Sequence, residues 1–129
     1  MSAVRPVWTP STWTRLAAVS GLLAVGFGAF AAHGVQDPKA AEWLRTGALY
    51  QMTHALAVFA ALAVARAGAR RSGLAAALFL GGTVLFSGSL YALAFGAPRW
   101  AGAITPLGGL AFLAGWAVLA WSAGEIDQA

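Results

Sequence analysis

Four long apolar stretches, none of which contains a charged residue, constrain this chain more than any other feature. They cover about residues 16–32, 48–65, 74–95 and 105–123. Each is close to the roughly 20 residues that a helix needs to cross about 30 Å of hydrocarbon. A helix satisfies all its backbone hydrogen bonds internally, as lipid requires. The sequence therefore predicts an all-α, integral membrane four-helix bundle that forms a single transmembrane domain over residues 1–129.

The composition agrees with a membrane location and excludes several other classes of protein. Hydrophobic residues make up 60% of the chain and charged residues 9%, and the mean hydropathy is +0.72, which leaves too little polarity to coat a soluble globule. The net charge of +4 comes from basic residues scattered at the segment ends, so we expect no nucleic-acid partner. The absence of cysteine excludes disulfides, thiolate metal sites and iron–sulfur clusters.

The second helix is predicted to be longer than its membrane span. A helical pattern starts at Pro38, a favoured first-turn residue, and meets no helix breaker until Gly68. Its first part carries Lys39, Glu42 and Arg45, which hold residues 38–46 at the level of the lipid headgroups. We therefore expect a short interfacial amphipathic segment that leads into the second span.

The distribution of positive charge predicts the orientation in the membrane. One side holds Arg5, Arg15, Arg66, Arg70 and Arg71, and the other side holds Lys39, Arg45 and Arg99. Because positive residues favour the cytoplasmic side, both termini are predicted to be cytoplasmic. Tryptophans mark the same two interfaces, with Trp8, Trp13 and Trp121 on the inner side and Trp43 and Trp100 on the outer side.

Eight polar residues interrupt the apolar stretches, and they are the candidates for a functional site. They are His33, Tyr50, Gln51, His54, Ser87, Ser89, Tyr91 and Thr105. At about 1.5 Å of rise per residue all eight lie in the outer half of the membrane, with His54 about 9 Å below the outer boundary. The inner half contains almost nothing polar, so a site would open outward or sideways to lipid. A polar side chain in hydrocarbon needs a partner, so the set is either internal glue of the bundle or a binding site.

Helical periodicity assigns some of these residues to shared faces. Tyr50, Gln51 and His54 lie on one face of the second helix, which we expect to point inward. Ser87 and Tyr91 lie on one face of the third helix. These five residues are the predicted inward core of the polar set.

The remaining polar residues fit structural roles. Ser89 lies opposite Ser87 and is expected to bond back to the carbonyl of Leu85. Thr105 fits an N-cap before a proline, and His33 fits an interfacial helix end. Small residues at helix-packing spacings predict close helix contacts. These are Gly21, Ala24, Gly28 and Ala31, then Gly81 and Gly88, then Gly108 and Gly115.

Several chemistries lack the residues that they require. All four carboxylates lie outside the apolar spans, which removes both an acid–base pair and the embedded carboxylate of a proton-coupled exporter. A serine nucleophile with His54 as its base would lack an orienting carboxylate. Met52 lies on a different helix face from His54, which disfavours a copper or haem site. We therefore expect no enzymatic activity, no metal and no cofactor.

Four ordered motifs resemble those of a known family. Residues 28–33, 50–56, 86–91 and 104–109 read GAFAAH, YQMTHAL, FSGSLY and ITPLGG, and Gly115-Trp116 follows. They resemble the YgdD-like small membrane proteins, domain of unknown function 423, which include animal transmembrane protein 256. Ala31 stands where many members are expected to have glycine, which concerns local packing only. The resemblance implies a four-helix protein of the bacterial inner membrane and brings no established activity.

The hypothesis for function is a non-enzymatic membrane protein whose outer-leaflet polar pocket binds a lipid headgroup or a small amphiphile. The candidate ligand-binding residues are His54, Gln51, Tyr50, Ser87, Tyr91, His33 and Thr105. The alternative is a structural or assembly subunit of a membrane complex, in which the polar cluster is interhelical glue. A metal- or haem-binding protein and a small-solute transporter are less favoured alternatives. Membrane lipids are the expected partners, and a homo-oligomer or a membrane-protein partner remains open.

Overall fold

The computed structural model describes residues 9–128, and its four α-helices account for most of them. The helices are α1 (Pro10–His33), α2 (Pro38–Arg66), α3 (Ser72–Ala94) and α4 (Thr105–Ser122). Short 3₁₀ helices cover Arg99–Ala103 and Ala123–Gln128, and no β-strand occurs within the described residues. Four helical segments are long and apolar enough to cross a membrane. The predicted all-α, four-helix membrane architecture is confirmed.

Side-chain caps define where the first two helices begin. The hydroxyl of Thr9 accepts a hydrogen bond from the amide of Thr12 at 3.3 Å, so Thr9 is the N-cap and α1 starts at Pro10. The carboxylate of Asp37 accepts one from the amide of Ala40 at 3.3 Å. In both helices a proline follows the cap, where its missing N–H costs nothing.

Glycine ends the second and third helices. Just beyond α2 and α3, Gly68 and Gly96 adopt φ values of +119° and +100°. Residues with a Cβ rarely adopt this conformation, so glycine at these positions lets the chain reverse within a few residues. The turn at Gly68 places α3 beside α2, and the turn at Gly96 leads through the Arg99–Ala103 helix to α4.

The central helices α2 and α3 pack against each other, α1 packs along α2, and α4 packs along α3. Because α1 and α3 scarcely touch, an open groove remains between them. We call the end of the protein that holds the α1–α2 connection and the Arg99–Ala103 helix the distal end. The opposite end, where α1 starts and α4 finishes, is the terminal end.

Three of the predicted small-residue contacts are confirmed. A Cβ on Gly108 would lie 2.7 Å from the carbonyl oxygen of Gly82, and one on Gly115 would lie 2.6 Å from the ring of Phe79. A Cβ on Gly28 would lie 3.6 Å from that of Ala48. Such close approach increases the van der Waals contact that holds membrane helices together.

Other glycines at similar spacings do not pack. A Cβ on Gly21, Gly81 or Gly88 would have no neighbour within 4 Å, so the predicted contacts of these residues are wrong. On α3 the packing residue is Gly82, where a Cβ would lie 2.6 Å from the ring of Phe112. A spacing of four or seven residues identifies a helix face, but it does not say which face meets a neighbour.

The amphipathic start of α2 is confirmed. Ala40 and Leu44 are buried, whereas Lys39, Glu42 and Arg45 are exposed. Lys39 and Glu42 form an exposed ion pair at 3.4 Å, which contributes little to stability. The buried face of this segment packs in the distal part of the protein, and its charged face is available to headgroups and water.

The terminal end is more polar than the sequence suggested. Ser72 and Ser122 are fully buried, and their hydroxyl oxygens lie 3.0 Å apart. The backbone amide of Arg71 donates a hydrogen bond to the carboxylate of Glu125 at 3.3 Å. The guanidinium of Arg71 lies 4.0 Å from the ring centre of Trp121. The expectation of an almost wholly apolar inner half therefore fails here. Arg5 and Trp8, which were assigned to this side, lie outside the described residues.

Candidate functional site

The eight polar residues do not form one cluster. Six of them fall into three groups that bridge different helices, and the side chains of Tyr50 and His33 lie outside these groups. Two of the groups also include a partner that the polar pattern of the sequence did not reveal.

The first group is a hydrogen-bond chain across three helices. The hydroxyl of Tyr91 in α3 donates to Oε1 of Gln51 in α2 at 2.7 Å. Nε2 of Gln51 then donates to Oγ of Ser20 in α1 at 3.2 Å. All three side chains are buried, with 9%, 6% and 7% of their surface exposed. We call Tyr91, Gln51 and Ser20 the polar chain, and it confirms the inward position predicted for Gln51 and Tyr91.

A glycine in α2 makes room for this arrangement. A Cβ on Gly47 would lie 2.6 Å from the ring of Tyr91, so only glycine lets the ring lie flat against α2. One turn earlier in α3, the hydroxyl of Ser87 donates to the carbonyl of Gly47 at 2.7 Å. Ser87 and Tyr91 therefore share a face, as predicted, and both are anchored on the same turn of α2.

The second group centres on His54, which is 4% exposed. Its Nδ1 lies 2.7 Å from the carbonyl oxygen of Tyr50, and its Nε2 lies 3.2 Å from Nε1 of Trp116 in α4. Because the indole N–H can only donate, Nε2 accepts and the hydrogen of the neutral ring is on Nδ1. The ring also stacks on Phe112, with centroids 3.6 Å apart and planes 6° apart. Both ring nitrogens of His54 are used within the protein.

The third group joins α3 to α4. The hydroxyls of Ser89 and Thr105 are hydrogen-bonded to each other, and Ser89 donates to the carbonyl of Phe86 at 2.9 Å. The predicted bond to Leu85 is therefore wrong, because serine in a helix also reaches the carbonyl three residues back. Thr105 is not the N-cap either. The preceding residue, Ile104, is already helical, with φ −77° and ψ −32°, so Thr105 is the first residue of α4.

Two of the candidate residues lie outside these buried contacts. The side chain of Tyr50 is 41% exposed and packs on Phe86 with centroids 4.5 Å apart, so its predicted inward position is wrong. Successive residues point about 100° apart on a helix, and Gln51 takes the inward direction. His33, the last residue of α1, is exposed, and its side chain takes part in none of the side-chain hydrogen bonds found among residues 9–128.

A groove of about 610 Å³ runs between α1 and α3, and α2 contributes Gln51 to its lining. Its part nearer the terminal end is apolar, and its part nearer the distal end is polar. The apolar part is lined by Trp13, Leu16, Val19, Ala77, Leu80 and Gly81. The polar part is lined by Ser20, Gln51, Thr83, Ser87 and Tyr91. No charged side chain lines the groove among the residues that the structure describes.

Aromatic rings close the distal end of the groove. Phe27 stacks on Tyr91 with centroids 4.0 Å apart and planes 22° apart. Phe95 lies 6.4 Å from Phe27 and 6.1 Å from Phe30, which extends the aromatic cover toward the helix ends. The groove therefore opens sideways, between α1 and α3, in the direction of lipid. This matches the lateral rather than the outward alternative expected from the sequence.

Two of the buried polar residues, Ser20 and His54, lie far from the ends of their helices. Ser20 is ten residues after Pro10 and thirteen before His33, which puts it about 15 Å and about 20 Å from the two ends of α1. His54 lies about 14 Å from Arg45 and about 18 Å from Arg66, the charged residues on either side of it in α2. Both are near the middle of their helices. The depth of His54 expected from the sequence is counted from Ala48, which lies about one turn beyond Arg45, the last charged residue before the second span.

Two functional partners, Ser20 and Trp116, were missed by the sequence reasoning. Ser20 is the polar member of a buried stripe with Ala17, Ala24 and Ala31, and such a stripe was a usable signal. Trp116 is the one tryptophan deep within a span, where its N–H needs an acceptor. In each case the partner follows from the need to pair a polar group in hydrocarbon. Trp116 belongs to the Gly115-Trp116 pair of the family resemblance, which assigns it no role, and Ser20 lies in none of the four motifs.

The comparisons with known proteins agree with this architecture. A family model described as "Protein of unknown function (DUF423)" matches residues 27–109. A Haemophilus influenzae protein named UPF0382 membrane protein is 46% identical over 112 residues, which cover 84% of this chain and 90% of the relative. Bacillus subtilis YwdK is 45% identical over 109 residues, covering 81% and 89% of the two chains.

The Escherichia coli protein YgdD, named UPF0382 inner membrane protein, is 44% identical over 110 residues, covering 80% and 82% of the two chains. No solved structure matches this chain. The family resemblance read from the four motifs is thereby confirmed over most of the sequence. The chain belongs to the DUF423 family of small membrane proteins.

Proposed function

We propose that this protein is a non-enzymatic component of the bacterial inner membrane that binds an amphiphile in the groove between α1 and α3. The observation that carries the proposal is the groove itself. Its volume of about 610 Å³ lies within the roughly 300–1,000 Å³ of small-molecule sites. It is mainly apolar, with a few polar groups gathered at one end, which is the usual composition of such sites.

The candidate ligand contacts narrow accordingly. Of the seven residues suggested by the sequence, Gln51, Ser87 and Tyr91 line the groove, and Ser20 joins them. His54, Tyr50, His33 and Thr105 do not line it. In the proposal, the apolar chain of the ligand lies along the terminal part of the groove and its polar head reaches the polar chain.

The proposal is tested by filling the groove. In Gly81→Leu the new side chain enters the groove without a clash, because a Cβ there meets nothing within 4 Å. Gly21→Leu is the matched control, since its Cβ also has open space but lies outside the groove lining. Lipids that remain bound after mild detergent extraction are identified by native mass spectrometry.

We expect Gly81→Leu to lose co-purified amphiphiles that the wild type and Gly21→Leu retain. Both variants should keep wild-type thermal stability, because neither disturbs a packed contact. Identical bound lipids in both variants would overturn the proposal.

A second candidate function, a structural or assembly subunit, is favoured by a different observation. Among residues 9–128, every buried side-chain nitrogen and oxygen has a hydrogen-bond partner, as interhelical glue requires. Under this function a Gln51→Ala/His54→Ala double variant loses thermal stability, while any membrane-protein partner still co-purifies. Unchanged stability of the double variant would count against it.

A further inference from the structure

The chemistry of the groove restricts the head of the amphiphile. We infer that the groove selects an uncharged head that carries a hydrogen-bond-accepting oxygen, and that it rejects phosphate and carboxylate heads. This inference rests on the proposed function, since it requires that the groove holds an amphiphile at all. Uncharged acylglycerols and long-chain quinones share the required chemistry.

A charged head would find no counter-ion in the groove. None of the described residues lining the groove carries a charge, and Arg15, although next to Leu16 in sequence, is not part of the lining. The other described cations lie near the ends of the helices or in the connections between them. An ion transferred to hydrocarbon without a counter-ion costs several kcal/mol or more. A phosphate or a carboxylate beside Gln51 would meet this cost with no compensating cation.

The groove offers free hydrogen-bond donors to the head of a ligand. The amide of Gln51 has two N–H groups, and one of them is given to Ser20. Ser20 accepts that bond and keeps its own hydroxyl hydrogen to donate. The hydroxyl hydrogens of Tyr91 and Ser87 are already used, on Gln51 and on the carbonyl of Gly47. The hydroxyl hydrogen of Thr83 is likewise used, on the carbonyl of Phe79. The free donors that line the groove are therefore two, and an acceptor oxygen satisfies them.

The polar groups that could bind a head lie far from the membrane interface. Trp13 and Phe27, at the two ends of the groove wall on α1, are fourteen residues or about 21 Å apart, whereas one leaflet of hydrocarbon is about 15 Å thick. Gln51 and Ser20 lie near the middle of α2 and α1, and the stacked rings of Phe27 and Tyr91 lie between them and the distal end. A phospholipid keeps its phosphate at the interface and would present only an acyl chain there. A head bound to Gln51 and Ser20 must itself enter the hydrocarbon, which an uncharged head does at low cost.

The test uses ligands that share one dibrominated stearoyl chain and differ only in the head. The series consists of the monoglyceride, the methyl ester, the ionised free acid, the lysophosphatidate and the headless dibromoalkane. Bromine quenches nearby tryptophan fluorescence, and Trp13 lies in the groove lining. The protein is used in detergent micelles, and Trp13→Phe identifies the part of the quenching that reports on the groove. A quinone with a brominated chain distinguishes the second natural source of an uncharged acceptor head.

We expect the monoglyceride and the ester to bind at least tenfold more tightly than the free acid and the lysophosphatidate. Ser20→Ala removes the hydroxyl donor at nearly constant volume, and the N–H of Gln51 that it releases still points at α1. Ester binding should therefore weaken by roughly threefold to tenfold, the factor expected for one hydrogen bond. The same variant should leave binding of the dibromoalkane unchanged, which separates loss of the donor from misfolding.

The possible outcomes distinguish the inference from the proposed function. Equal affinity for charged and uncharged heads would overturn the selectivity and leave the groove as a general lipid site. An ester that binds no better than the alkane would overturn the role of the two donors. If no ligand of the series quenches Trp13, the proposed function itself fails.

Discussion

The close approach of α3 and α4 at Gly108 gives a prediction for the stability of the bundle. In Gly108→Ala the new methyl group would lie 2.7 Å from the carbonyl oxygen of Gly82 and 2.7 Å from Cα of Phe86. Favourable contacts between carbon atoms occur at about 3.5–4.0 Å, so α3 and α4 must separate by about 1 Å. Backbone atoms cannot rotate away, and overpacking of this kind costs about 1–3 kcal/mol.

The cost is partly offset, because alanine favours a helix over glycine by up to about 1 kcal/mol. We therefore expect a net destabilisation of about 1–2 kcal/mol. Gly88→Ala is the matched control. Gly88 lies in α3, two residues after Phe86, and a Cβ there would have no neighbour within 4 Å. This control should be as stable as the wild type or slightly more stable.

The free energy of unfolding is measured by reversible unfolding in mixed micelles, with tryptophan fluorescence and far-ultraviolet circular dichroism as the two probes. The two variants should differ by about 2 kcal/mol, because only one of them combines the gain in helix propensity with a clash. If Gly108→Ala and Gly88→Ala are equally stable, α3 and α4 do not touch at Gly108, and the packing of α4 described above is wrong.

Three further predictions address the polar groups and the orientation. Tyr91→Phe removes the donor to Gln51 and should cost about 0.6 kcal/mol of unfolding free energy and at most about 1.7 kcal/mol, the average and the maximum for interhelical hydrogen bonds in a membrane protein; no loss would mean that this bond is not formed. Trp116→Phe should cost about the same by leaving Nε2 of His54 without a donor, and an unchanged stability would contradict the assigned pairing. Because the chain has no cysteine, single cysteines report topology directly. In intact cells, a membrane-impermeant maleimide should label Arg99→Cys and not Arg70→Cys, and the reverse pattern would refute cytoplasmic termini.

The hydrogen bonds and the groove are parts of one arrangement. Gln51 ties α1 and α3 to α2 through Ser20 and Tyr91, while α1 and α3 pack little against each other beyond the stacking of Phe27 on Tyr91. The same residues therefore hold the helices together and line the space between them. For this reason a stability measurement on Gln51 variants cannot by itself separate glue from ligand contact, whereas Gly81→Leu, which removes space and no bond, can.

The boundaries of the helices were accessible from the sequence because their causes are local. Runs of about 20 uncharged apolar residues must be helical in lipid, and prolines and glycines at Pro38, Gly68 and Gly96 mark where helices begin and end. The inward direction of Gln51 and His54 also followed, because polar side chains in a membrane helix turn toward protein.

The partners of these side chains were beyond local reasoning. Helical periodicity places Gln51 and His54 on one broad face, but they meet different neighbours, α1 and α3 in one case and α4 in the other. Which neighbour is met depends on how the helices cross, and that depends on contacts between residues distant in sequence, such as Gly108 with Phe86 and Gly115 with Phe79. Glycine spacing was ambiguous for the same reason, since Gly81 and Gly82 differ only in which side of α3 they occupy.

The amino-acid order thus specified four membrane helices, their limits and the set of polar residues, since each depends on the free energy of a segment in lipid. The packing of the helices determines that α1 and α3 make few contacts with each other. It also determines that an uncharged groove opens between them and that Ser20 faces Gln51. Those features arise from side chains of several helices packing at once, and no single segment contains the contacts that produce them.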